Sequence, residues 1–77
     1  MKKFQKTITI TYDEIEDIAY IYLASIKAGE ITDTIPVDDL PNQDADVVLD
    51  FAKETFKGIE LIGASRVLPQ RLLQDDS

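Results

Sequence analysis

Ile18-Ala19-Tyr20-Ile21-Tyr22-Leu23 is the stretch whose reading decides the fold. It holds no charge, glycine or proline, and its β-branched and aromatic side chains suit a pleated ribbon better than a helix. Ala19, Ile21 and Leu23 fall on one face of an extended chain and Ile18, Tyr20 and Tyr22 on the other. Both faces are apolar, as in a strand covered from each side, so the stretch predicts a central strand. The apolar run Ile18 to Ala24 is seven residues long, where crossing a bilayer takes about 20. A membrane span is therefore not expected here.

Toward the N-terminus, Thr7 to Tyr12 alternates strictly, with Thr7, Thr9 and Thr11 on one face and Ile8, Ile10 and Tyr12 on the other, as in a half-buried strand. The acidic stretch Asp13 to Asp17 has the length of a hairpin connection. Toward the C-terminus, Ala28-Gly29-Glu30 supplies a turn, Gly29 being free to take a positive φ. Ile31, Ile35 and Val37 then share a face of a third strand, which Asp33 and Pro36 mark as an edge strand or a strand end. Asp38 to Ala45 contains Pro41 and Asn42, has no periodicity and reads as a surface loop. Val47 to Phe51 and Phe56 to Ile62 form an antiparallel pair around a turn at Ala52 to Thr55. After Gly63, Ser65 is placed to cap a short helix whose run Pro69 limits. Val67, Leu68, Leu72 and Leu73 form its apolar stripe. The chain thus reads as one α+β domain over residues 1–77: an antiparallel β-meander of about five short strands with one short C-terminal helix packed on the sheet, its ends frayed at 1–4 and 74–77.

Composition narrows function by exclusion. The 77 residues include no cysteine, histidine or tryptophan. No Ser-His or Cys-His dyad and no cysteine-histidine zinc site can be built, so a non-enzyme without cofactor is expected. Fifteen acids against eight bases give a net charge of -7. That balance disfavours nucleic acid, whose phosphates draw on Lys and Arg, and favours solubility and encounter with basic proteins. Lys2, Lys3 and Lys6 run into alternating Thr and Ile rather than an unbroken apolar segment, so no secretory leader is expected and the cytoplasm is the expected location. A chain this small buries only about 60% of the surface its unfolded form exposes, which leaves a thin margin of stability. Apolar surface left over by one short helix on a two-sided sheet predicts a homodimer.

Tyr12-Asp13, Asp17, Tyr20-Ile21, Leu49-Asp50, Gly58-Ile59-Glu60-Leu61 and Ala64-Ser65 together resemble the small bacterial family called domain of unknown function 2283. The resemblance spans about Thr7 to Leu68. It implies a compact sheet of about this strand order closed by a short helix, and it brings no catalytic residue. Relatives encoded beside small toxin-like proteins imply an antitoxin-like role as an alternative. The chain departs from the family at Glu14-Ile15, where a Pro-Glu turn is usual, and at Ala52 to Thr55, a turn that lacks the usual glycine.

Four groups of residues invite a functional reading. Asp13, Glu14, Glu16 and Asp17 offer hard oxygen ligands, yet neither they nor Asp44, Asp46 and Asp50 follow the spacing of a calcium loop, so a solvated hairpin tip is preferred and no metal is assigned. Asp50 and Glu60, on adjacent strands, could divide acid and base roles; pairing with Arg66 is the structural alternative. Ser65 lacks both the surrounding glycines and the histidine of a nucleophile turn, and capping is its expected role. Tyr12, Tyr20 and Tyr22 could stack bases, but core packing with hydroxyls at the surface is favoured. The expected interaction surface is Tyr20, Tyr22, Val67, Leu68, Leu72 and Leu73. The expected function is a non-enzymatic self-association or protein-interaction module. Two alternatives stay open. One is an antitoxin-like partner that docks a basic protein through the C-terminal stripe with Asp75 and Asp76; the other is a carboxylate- or metal-dependent activity.

Overall fold

The computed structural model describes residues 1–75. Five strands form one antiparallel sheet: β1 (Thr9–Asp13), β2 (Ile18–Tyr22), β3 (Asp33–Pro36), β4 (Asp46–Ala52) and β5 (Thr55–Ile62). Their order is β1-β2-β5-β4-β3. The expected meander is therefore corrected: β2 pairs with β5, and residues 23–32 carry the chain past the end of the sheet to the far edge. The residues account for this order. β3 holds Asp33 and Pro36 and is exposed throughout, which fits an edge, where a missing amide donor leaves no ladder bond unmade. β5 is the true centre, and the fully apolar β2 lies one place from the β1 edge.

The β1–β2 hairpin closes through Asp17, whose φ of 55° is left-handed, a region that aspartate tolerates better than most residues. Asp13 ties the same turn by accepting from the Ile15 and Glu16 amides at 3.0 and 3.1 Å. In the β4–β5 hairpin Lys53 takes the positive φ, 58°, where a glycine would cost nothing. Its amide donates to the Thr32 hydroxyl at 2.6 Å, which binds the turn to the start of the edge strand.

The expected C-terminal helix is also corrected. Residues after β5 form two single 3₁₀ turns, Ala64–Arg66 and Gln70–Leu73, with Pro69 between them. Pro69 has no amide to continue a ladder and sits extended at ψ 134°, so each segment stops after one turn. Ser65 lies inside the first turn; Gly63, at φ 77°, is its N-terminal boundary and no side chain caps it. Residues 76 and 77, part of the expected frayed end, lie outside the described residues. No helix among the described residues is long and apolar enough to cross a membrane.

Register divides the sheet into two faces. On the lid face, Tyr12, Ala19, Leu61 and Val47 make one cross-strand row. The 3₁₀ turns cover that row: Ala19, Leu61 and Ala64 are the buried centre, and Val67, Leu68 and Leu73 pack against it. Beside it runs a second row, Ile10, Ile21, Ile59, Leu49 and Ile35, which crosses all five strands. The open face carries Thr11, Tyr20, Glu60, Val48 and Pro36 in one row, with Tyr22, Gly58, Asp50 and Thr34 in the next.

Candidate functional site

Two side-chain networks, one on each side of β2, absorb most of the residues that invited a functional reading. On the open face the Tyr20 phenol donates to Asp50 Oδ2 at 2.5 Å, and the Thr34 hydroxyl donates to Oδ1 at 3.1 Å. The reach spans three strands: Tyr20 on β2 leans across β5 to β4, and Thr34 closes from the edge. Gly58 makes it possible. A Cβ there would stand 2.7 Å from Tyr20 Cζ and nearer still to the phenol oxygen, so the ring occupies the space a side chain would take. Burial, then the bond to Asp50, pushes the Tyr20 hydroxyl pKa well above its ordinary value and keeps the phenol protonated. Tyr22 packs beside it with ring centroids 4.7 Å apart.

At the hairpin end, Asp17 joins the sheet to the first 3₁₀ turn. Its carboxylate accepts from the Tyr12 phenol at 2.7 Å, from the Ser65 hydroxyl at 2.7 Å and from the Ser65 amide at 2.9 Å. Its carbonyl accepts from the Gly63 and Ala64 amides at 2.9 and 3.0 Å. The Ser65 hydroxyl, followed by the Tyr12 phenol, holds the Asp17 carboxyl below the usual aspartate range, and Asp17 in turn raises Tyr12. A second clamp acts on the same turn. Arg66 Nη1 donates to the Asp44 carbonyl and Asn42 Nδ2 to the Arg66 carbonyl, at 3.0 and 3.1 Å, and so pin the 41–46 loop.

These contacts revise several expectations. Arg66 binds backbone and pairs with neither Asp50 nor Glu60. Asp50 and Glu60 do share the open face, but diagonally, since Asp50 faces Gly58 and Glu60 faces Val48. Asp50 is taken up by Tyr20 and Thr34. Ser65 caps nothing and instead anchors to Asp17. Among the described residues no three carboxylates converge on a point where a cation could sit. The expected interaction residues do not form one surface: Tyr20 and Tyr22 are on the open face, while Val67, Leu68 and Leu73 lie on the opposite side against the core. Leu72, half-buried, lines a shallow groove with Ile10 and Tyr12. An open depression of 560 Å³ lies at the sheet corner between Thr7, Thr9 and Thr11 on one side and Tyr22 to Ile26 on the other.

Tyr12, Asp17, Tyr20, Thr34, Asp50 and Ser65 all lie within one span that a known family's pattern matches. The pattern of the DUF2283 family, proteins of unknown function, matches residues 9–65, from the start of β1 to the serine that binds Asp17. The chain belongs to the DUF2283 family. No curated protein and no solved structure matches it. Within DUF2283 terms, the matched span covers all five strands and ends inside the first 3₁₀ turn, so Gln70–Leu73 lies beyond it.

The Asp17 anchor carries a pH signature. Its carboxyl is held below its ordinary value of 3.8, so the stability it contributes is present above that pH and is lost as pH falls through the depressed value. Asp17→Asn keeps an amide acceptor and tolerates the left-handed φ, but removes the charge. Its thermal midpoint is expected below the parent's at neutral pH, the two converging in acid below about pH 4. Melts across that range check this, and curves that stay parallel into acid would show that the carboxylate charge is not what holds the turn.

Proposed function

We propose that the chain is a small self-associating module rather than an enzyme. The observation that carries this reading is its surface. The chain exposes 6316 Å², whereas a compact monomer of its 8.7 kDa exposes about 4,700 Å². Its radius of gyration, 13.6 Å, likewise exceeds the about 11.5 Å of a compact domain of this length. No large side chain among the described residues is fully buried. Exposed residues 1–8 supply part of the excess, and Leu23, Ile35 and Phe56, each more than a third exposed, add to it. The non-enzymatic part of the reading is supported by the use of Asp17 and Asp50, whose oxygens are committed to Ser65, Tyr12, Tyr20 and Thr34.

Light scattering over a concentration series tests the reading. A mass of twice 8.7 kDa at micromolar concentration and above is expected, and a strict monomer at millimolar concentration would end it.

A further inference from the structure

We infer that the second copy packs face to face on the lid face, over the row Ile10, Ile21, Ile59, Leu49 and Ile35. This rests on the self-association reading and names its surface. Five apolar side chains, one from each strand, form a continuous band: Ile21 and Ile59 pack against the core and Ile10 lies beside Leu72 and Leu73, and the band opens toward the β3 edge. Ile35 at the β3 edge is 48% exposed, and Phe56, stacked on Phe51 with centroids 5.0 Å apart, extends the band at 37%.

Charge separates this face from the other. The strand charges on this face are one base, Lys57, neutralised within the chain by Glu30 at 3.1 Å with only 14% of its side chain exposed, and one acid, Asp33, at the β3 edge beside Ile35. The open face presents Asp13, Asp46, Asp50 and Glu60. A twofold contact is self-complementary, so pairing the open face would set carboxylates against their own copies in a chain of net charge -7. Pairing the isoleucine row sets hydrocarbon against hydrocarbon. Two twisted sheets stacked about 10 Å apart form a sandwich, the usual way for such faces to become dry.

The experiment compares Ile35→Lys with Ile62→Lys by sedimentation at several concentrations, with far-ultraviolet circular dichroism to verify folding. Both residues are exposed, Ile62 on the open face at 37%, and lysine suits the edge strand that holds Ile35. Ile35→Lys enters a twofold interface twice and is expected to weaken the dimer at least about a hundredfold, with Ile62→Lys remaining dimeric. A dimer that survives Ile35→Lys, or one that only Ile62→Lys breaks, overturns the assignment of the face while leaving self-association intact. A parent chain that is monomeric throughout ends both. If Ile35→Lys does not fold, Phe56→Trp decides, because the chain has no other tryptophan. Its emission is expected to move to shorter wavelength as dilute protein is concentrated, and an unchanged spectrum across the association range overturns the assignment.

Discussion

Gly58→Ala is expected to lower stability by about 2 kcal/mol, although glycine to alanine in a strand ordinarily raises it by about 0.5–1 kcal/mol. Backbone conformation does not decide the sign, since Gly58 is not among the positive-φ glycines. Space does. The new methyl would overlap the Tyr20 ring, and the ring must leave its rotamer and lose its bond to the Asp50 carboxylate. A hydrogen bond to a charged group is worth about 1.5–3 kcal/mol, and a forced rotamer about 0.5–1.5 kcal/mol. In a domain of this size the loss is a fall in thermal midpoint of about 10 °C. The control is the same substitution on a Tyr20→Ala background, where the ring is gone. There Gly58→Ala is expected to be neutral or stabilising, so the two changes couple strongly. Equal costs in both backgrounds would show that Gly58 does not serve Tyr20.

The contrast between local and distant information explains what the sequence disclosed. Alternation at Thr7 to Tyr12 and the apolar run at Ile18 to Leu23 are local; β2 lies within the second stretch, and β1 overlaps the first, starting two residues later and ending one later. Asp33 and Pro36 announced an edge strand because a proline removes a donor wherever it sits, and β3 is that edge. Strand order is not local. Placing β5 beside β2 brings Gly58 under the Tyr20 ring across thirty-eight positions of sequence, and no period or spacing encodes such a fit. The C-terminal segment misled for a related reason. Val67, Leu68, Leu72 and Leu73 have helical spacing, but stripe spacing does not distinguish one helix from two separate turns that each drop a leucine onto the same core. Asp17 was hidden in a cluster of four acids, and its three neighbours there resemble a solvated tip. Its distinguishing signals were Tyr12 five residues earlier and Ser65 in the family pattern, whose meaning emerges only when the chain ends of the sheet are brought together.

Leu61→Ala is expected to cost about 2–5 kcal/mol, against a total stability that for small domains starts near 5 kcal/mol. Leu61 is the one large apolar residue among the described residues that is classed as buried, at 6% exposure. Its neighbours in the core are Ala19 and Ala64, both at 0% and both too short to collapse into the space its removal leaves. The cavity therefore persists, and cavity volume adds to the lost transfer energy. Loss of the knob that Val67, Leu68 and Leu73 share also frees the 3₁₀ turns. The expected result is a chain with a shallow melt and partial unfolding at room temperature. Ile62, the next residue of β5, points to the open face at 37% exposure, and Ile62→Ala is expected to cost under about 1 kcal/mol. Two adjacent residues of similar hydrophobicity then differ severalfold because alternation sends one beneath the turns and the other to solvent. Denaturant titration of the pair measures the difference. A larger loss for Ile62→Ala would move the seat of stability to the open face, and with it the face on which a second copy belongs.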